Sequence, residues 1–245
     1  MRYLLFFKKA FTIVRIFVIN LFIVFSCASL SYGQRTSSFG AFISSPVGSF
    51  KSTDLSDGGF AKTGWGIVFD SDTKLKFLDE HFSLHIHSTY QWNDIDTEKL
   101  SESYTDALGF RTEVSESRYR PILTTVGPGY NIDFGNERMS IGILTGVGVL
   151  FNNTKAFTVT VFDDSDQELT KELVNFDNNV AFAYMFGAEF IFSIVPDLFK
   201  LSIYSDYMSS NQKVEASFSN STEQVKSFES LNYLNYGVKI VLLSQ

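Results

Sequence analysis

Between residues 139 and 152 the chain reads MSIGILTGVGVLFN, and every second position is apolar or tolerates apolar surroundings: Met139, Ile141, Ile143, Thr145, Val147, Val149 and Phe151. The positions between are mostly the smallest available, Ser140, Gly142, Gly146 and Gly148, with Leu144 and Leu150 as exceptions. Alternation with a period of two predicts a β-strand, because successive side chains leave opposite faces of the pleat. A soluble sandwich would set polar or charged groups against the greasy face. Here the second face is largely glycine.

Seven further segments carry strand-like patterns: 37–48, 62–71, 81–93, 119–134, 179–192, 200–209 and 231–243. In 81–93, Phe82, Leu84, Ile86, Tyr90 and Trp92 share one face, opposite His81, Ser83, His85, His87, Thr89, Gln91 and Asn93. In 179–192, Val180, Phe182, Tyr184, Phe186, Phe190 and Phe192 face away from Ala181, Ala183, Gly187 and Glu189. Segment 231–243 sets Leu234, Tyr236, Val238, Ile240 and Leu242 against Tyr233, Asn235, Gly237 and Lys239. The pattern in 200–209 is less clean. No stretch has the periodicity of an amphipathic helix, so the chain reads as all-β.

The connections alternate in kind. Short links at 72–80, 135–138 and 193–198 join strands two to three, four to five and six to seven. The other four connections, 49–61, 94–118, 153–178 and 210–230, are longer and polar. An even number of strands, with short turns at one end and long loops at the other, predicts an eight-stranded antiparallel up-and-down transmembrane β-barrel. The glycine face then follows. Lipid requires an apolar exterior and a closed sheet, and the inside of an eight-stranded barrel is only wide enough for side chains to fill. Asp70, Glu189, Lys239, His85 and His87 fall on the inward faces, and their mixed signs predict a hydrogen-bonded network, since an unpaired buried charge costs several kcal/mol.

Residues 1–33 stand apart from this pattern. Arg2, Lys8, Lys9 and Arg15 precede or flank an apolar run at 16–25 broken only by Asn20, and small residues follow up to Gly33–Gln34. This is the layout of a cleaved secretory signal peptide, too short for a membrane-spanning helix. Val24-Phe25-Ser26-Cys27 loosely resembles a lipidation box, but Phe25 fits that pattern poorly, so Cys27 is expected to leave with the signal. Residues 34–245 then form one barrel domain without a separate periplasmic domain. Losing four basic and no acidic residues moves the formal charge from −7 to −11. An acidic chain without basic clusters excludes nucleic-acid binding through a charged patch.

These features resemble the small outer-membrane β-barrel family of Gram-negative bacteria, of the OmpA transmembrane domain and OmpX type, and look most like the stand-alone barrels grouped as PorT-like. The most specific local match is the last strand. Asn235, Gly237, Val238, Ile240 and Leu242 resemble the C-terminal signal read by the barrel-assembly machinery, with Leu242 where the usual aromatic would stand. The resemblance implies location in the cell outer membrane, contact with its lipid, and a structural or interaction role. Extracellular loops 94–118 and 153–178 are the expected protein-contacting regions. The PorT likeness also implies an accessory subunit of a secretion or surface-assembly complex as an alternative.

Candidate chemistry is sparse. His81, His85 and His87 share a face, and a pair of histidines two apart can chelate a metal. With no cysteine among them and no third ligand required to converge, they are expected to be polar lumen or turn residues, and no metal site is assigned. The run 163–168, DDSDQE, lacks the glycine and terminal glutamate of a calcium loop and reads as a solvated acidic turn. Residues 125–134 lack the Lys-Ser/Thr and following helix of a phosphate loop. Asn152 and Asn220 begin glycosylation sequons that a bacterial barrel would leave bare. With all three histidines on one strand and none in a long loop, no catalytic residues, cofactor or enzymatic activity are expected. A small channel would need a continuous water path past the lumen glycines, and a soluble lipocalin-like barrel would need the reverse polarity.

Overall fold

The computed structural model describes residues 35–244 apart from 57, 75–78, 80, 135–137, 177–179, 196–197, 212–214, 219–223 and 227–229. The expected leader at 1–33, Cys27 and the Asn220 sequon lie outside the described residues. In chain order the elements are β1 (Arg35–Pro46), a 3-10 turn (Gly48–Phe50), β2 (Gly64–Lys74), β3 (Phe82–Asp94), α1 (Thr97–Leu108), β4 (Thr112–Val114), β5 (Arg118–Tyr119), β6 (Pro121–Phe134) and β7 (Met139–Asn152). Then come β8 (Phe157–Phe162), β9 (Glu168–Phe176), β10 (Val180–Val195), β11 (Phe199–Ser210), β12 (Glu215–Phe218), β13 (Gln224–Lys226) and β14 (Leu231–Ser244).

Eight of these strands pair antiparallel in the order β2-β1-β14-β11-β10-β7-β6-β3, and β3 returns to β2. The sheet is therefore closed. First and last strands meet from Arg35↔Ser244 to Pro46↔Tyr233, so the barrel has no free edge. Closure satisfies the backbone within the sheet, as lipid demands of any β-structure that spans it.

The alternation read from the sequence becomes an inside and an outside. Phe39, Trp65, Val147, Phe182, Phe186 and Val238 are among the large apolar side chains exposed on the exterior. Trp65 and Trp92 stack at 4.3 Å and Tyr90 lies 4.2 Å from Trp92, all near the long-loop end. Toward the short-turn end, Phe82 meets Tyr130 at 4.8 Å and Phe190 meets Phe192 at 4.4 Å. An apolar belt with an aromatic band at each rim is the surface of a membrane-spanning barrel. A soluble ligand-binding barrel requires the opposite distribution, which this exterior rules out. No described helix is long and apolar enough to cross a membrane; the strands do so instead.

The loops hold more order than the sequence suggests. Within 94–118 lies a helix, α1, where the sequence pattern predicts none. Its single buried residue is Leu100, so it has almost no apolar stripe to detect. It is defined by its ends: the Asp96 side chain accepts from Lys99 N–H, and Gly109, at φ 72°, closes the other end by donating to the Thr105 carbonyl. A second sheet, in the order β13-β12-β9-β8-β4, draws together three of the long connections. At the tip of the β8–β9 hairpin, the Asp163 carboxylate accepts from the backbone of Ser165 and Gln167 at 2.8 and 2.9 Å. The acidic run is thus a turn whose leading carboxylate serves its own backbone.

Candidate functional site

Inside the barrel the charged residues are placed by strand register. Asp70 on β2 lies directly opposite His87 on β3, and Asp72 opposite His85. The His87 Nδ1–H donates to Asp70 Oδ1 at 2.7 Å, and the His85 Nδ1–H to Asp72 Oδ1 at 2.9 Å. Lys239 on β14 reaches two strands in each direction. Its Nζ lies 2.6 Å from Asp70 Oδ2, across β1, and 2.7 Å from Glu189 Oε2, across β11. Ser38 donates to Asp70 at 3.3 Å and Ser202 to Glu189 at 2.9 Å. One ammonium thereby ties β10, β11, β14, β1 and β2, and the histidines extend the tie to β3.

Lys239 is 2% exposed, Asp70 0% and Glu189 7%. Charges so far from water persist only when paired and fully hydrogen-bonded. The glycines of the inner face make the pairing possible. Gly40 is the register partner of Lys239, and a Cβ there would lie 2.8 Å from Lys239 Cγ. Gly142 faces Glu189 in the same way, with a would-be Cβ 2.8 Å from Glu189 Cγ. Gly127 lies opposite His85 and Gly187 opposite Asp206. Small residues on one strand leave room for long ones on its neighbour, which accounts for the nearly empty face of residues 139–152.

Above this charged layer, toward the long loops, an apolar cluster packs beside buried Gln91, Asn93 and Asn152. Phe50, carried inward by the 3-10 turn, packs edge-on against Tyr119 at 4.8 Å and Tyr233 at 4.9 Å. Leu123, Leu150, Met185 and Met208 belong to the same buried cluster. The Tyr119 hydroxyl donates to the Gly59 carbonyl at 2.7 Å, fastening the first long loop over the barrel mouth.

The described residues form a closed eight-stranded barrel, apolar outside and polar to charged inside. The chain is a transmembrane β-barrel of the outer-membrane type. No family model matches the chain, and no curated protein does. Among solved structures it is similar to the attachment invasion locus protein Ail of Yersinia pestis, at 12% identity and TM-score 0.40 over 86% of this chain and 99% of that one. It is also similar to a major outer membrane protein of Thermus thermophilus, at 13% identity and TM-score 0.44 over 86% of this chain and 100% of that one. A third is the outer membrane protein OprG of Pseudomonas aeruginosa, at 12% identity and TM-score 0.45 over 87% and 98%.

The five inward-facing residues singled out from the sequence, Asp70, His85, His87, Glu189 and Lys239, form one cluster. His81 stands apart at the turn before β3, 3.9 Å from Asp79. Two further carboxylates join the cluster without having stood out in the sequence. Asp72 extends the inward row of β2 by one more alternate position. Asp206 lies on β11, accepts from Asn235 Nδ2 at 2.8 Å and leaves its Oδ2 3.9 Å from His87 Nε2. Alternation along β11 is blurred because Tyr204 and Met208 point inward while Ser205 points outward, so Asp206 has no clear face in the sequence. Asn152 is buried, with its Nδ2 donating to Thr154 at 2.8 Å, so its sequon is not displayed. A shallow acidic groove along α1, lined by Glu98, Glu102 and Asp106, is open to solvent.

Proposed function

We propose that the protein is a non-enzymatic outer-membrane barrel whose lumen is filled and whose work is done by its extracellular sheet, as a structural or interaction module. One observation carries this reading: the interior is occupied along its length, by the Asp70–Lys239–Glu189 crossing in the middle and by the Phe50–Tyr119–Tyr233 cluster beneath the loops. Such an interior leaves no path for general solute flow. The long connections, by contrast, are built into a second sheet that displays acids beside exposed Leu169 and Leu173. Protein contacts are accordingly assigned to 94–118 and 153–178, lipid contacts to the barrel belt, and none to nucleic acid.

The testing experiment has two arms. The purified barrel, reconstituted in planar bilayers, is expected to show no discrete conductance; stable single-channel steps would replace this reading with that of a small channel. Co-purification in mild detergent is then compared between the intact chain and one whose β8–β9 tip, 163–167, is replaced by a two-residue turn. A partner recovered equally with both would remove the role of that hairpin. Mass spectrometry of the membrane-extracted chain is expected to place its first residue at Gln34.

A further inference from the structure

We propose that the lumen is a binding site for a divalent transition-metal ion, of the kind zinc exemplifies, with Asp70, His85 and His87 as its protein ligands. One ligand atom from each residue lies within 4.8 Å of the other two, and all three residues are buried. Two imidazoles and a carboxylate form a donor set suited to such ions, with a further position left for water.

Spacing distinguishes this cluster from an ordinary polar network. His85 Nε2 has no hydrogen-bond partner among the described residues and lies 4.0 Å from Asp70 Oδ1. That gap is too long for a hydrogen bond, and tetrahedral metal bonds of about 2.0–2.2 Å would draw the two atoms in to roughly 3.4 Å, a shift of about half an ångström. His87 Nδ1 and Asp70 Oδ1 stand at 2.7 Å, and a bridging ion would displace the shared proton and open them by about half an ångström.

Second, each histidine has its other nitrogen turned to a further carboxylate. His85 Nδ1 donates to Asp72 at 2.9 Å, and His87 Nε2 points at Asp206 Oδ2 at 3.9 Å. Both His87 Nε2 and Asp206 Oδ2 lack a partner among the described residues. A carboxylate behind each imidazole is the arrangement that orients metal-bound histidines. Lys239 and Ser38 hold Asp70 Oδ2, leaving Oδ1 for the ion.

Third, the charges call for it. Among the described residues, Asp70, Glu189 and Asp206 are buried carboxylates, while Lys239 is the one buried lysine or arginine. A dication would add positive charge where buried carboxylates outnumber buried lysines and arginines. Access is from the short-turn end: Asp72, with its side chain 22% exposed, leads inward to His85 and then to Asp70.

The test uses the full-length product extracted from outer membranes in detergent, without a polyhistidine tag, stripped by chelator and titrated with cobalt(II) alone. Expected is one ion per chain, with visible d–d absorption that equimolar zinc abolishes. His85→Gln should lower affinity by at least about 100-fold and Asp72→Asn by about 10–100-fold, while His81→Ala leaves it unchanged. The heat-dependent gel shift reports that each variant is a closed barrel. Absence of visible absorption in the wild type overturns the proposal, as does loss of binding in His81→Ala. If His85→Gln fails to close, Asp72→Asn decides, because the carboxylate it alters is partly exposed. Unchanged cobalt affinity in a folded His85→Gln or Asp72→Asn barrel also overturns the proposal.

Discussion

Replacing Lys239 by methionine removes the ammonium at the centre of the lumen while keeping a side chain of similar length. Two charge-assisted hydrogen bonds vanish, at 2.6 Å to Asp70 and 2.7 Å to Glu189. Bonds to charged groups contribute about 1.5–3 kcal/mol each, and breaking a buried ion pair from one side costs about 3–5 kcal/mol because the remaining charge is stranded. The expected loss of about 3–5 kcal/mol raises the unfolding equilibrium constant by roughly two to four orders of magnitude. Urea unfolding in phospholipid vesicles reads this through the fluorescence of Trp65 and Trp92, the two tryptophans of the chain. The decisive comparison is the triple variant Lys239→Met/Asp70→Asn/Glu189→Gln. It removes both sides of the clamp, and an apolar or neutral substitute for a buried ion pair is often neutral or stabilising. The triple variant should therefore recover most of the loss. A single variant within about 1 kcal/mol of wild type would refute a stranded-charge cost. So would a triple variant no more stable than the single one.

Gly142→Val should lower stability by about 1–3 kcal/mol or abolish folding, because its Cβ meets Asn131 Oδ1 at 2.6 Å and Glu189 Cγ at 2.8 Å; the urea midpoint and the heat-dependent gel shift report it. Phe50→Ala should cost about 3–5 kcal/mol by emptying the site between Tyr119 and Tyr233. In planar bilayers that variant should stay non-conducting, since the Asp70–Lys239–Glu189 crossing still blocks the lumen below. Val147→Arg, on the apolar exterior near the middle of β7, should cost about 2–4 kcal/mol in vesicles of normal bilayer thickness, measured by the same unfolding assay.

The barrel is legible in the sequence because alternation is imposed twice, by lipid outside and by a narrow lumen inside. Phe182, Phe186 and Phe190 face one way and Ala183, Gly187 and Glu189 the other on pattern alone, and the strands observed match the segments read from the sequence. The loops are less legible for the opposite reason. Helix α1 buries only Leu100 and β9 only Val174, so their sequences carry no strong period; β8 does alternate, with Phe157, Val159 and Val161 inward, but at six residues inside a polar connection it does not stand out. Asp96 and Gly109 are cap signals present in the chain, but without an apolar stripe between them they read as loop residues. In the site, alternation places Asp70, His85, His87, Glu189 and Lys239 inside. It does not say which of them meet: Lys239 and Asp70 are 169 positions apart and approach only through barrel closure and the gap above Gly40.

The pairing of β1 with β14 has a consequence for how the molecule comes into being. Until residues 231–244 are in place, β1 is an open edge, able to pair with any extended chain that reaches it. The same segment carries Lys239, so Asp70 and Glu189 have no buried counter-ion before it docks. Sealing the sheet and seating Lys239 between its two carboxylates are thus a single event, performed by one strand. An incompletely assembled barrel is left both adhesive at its rim and electrostatically unbalanced within, which drives it toward completion or toward unfolding and away from any lasting half-built form.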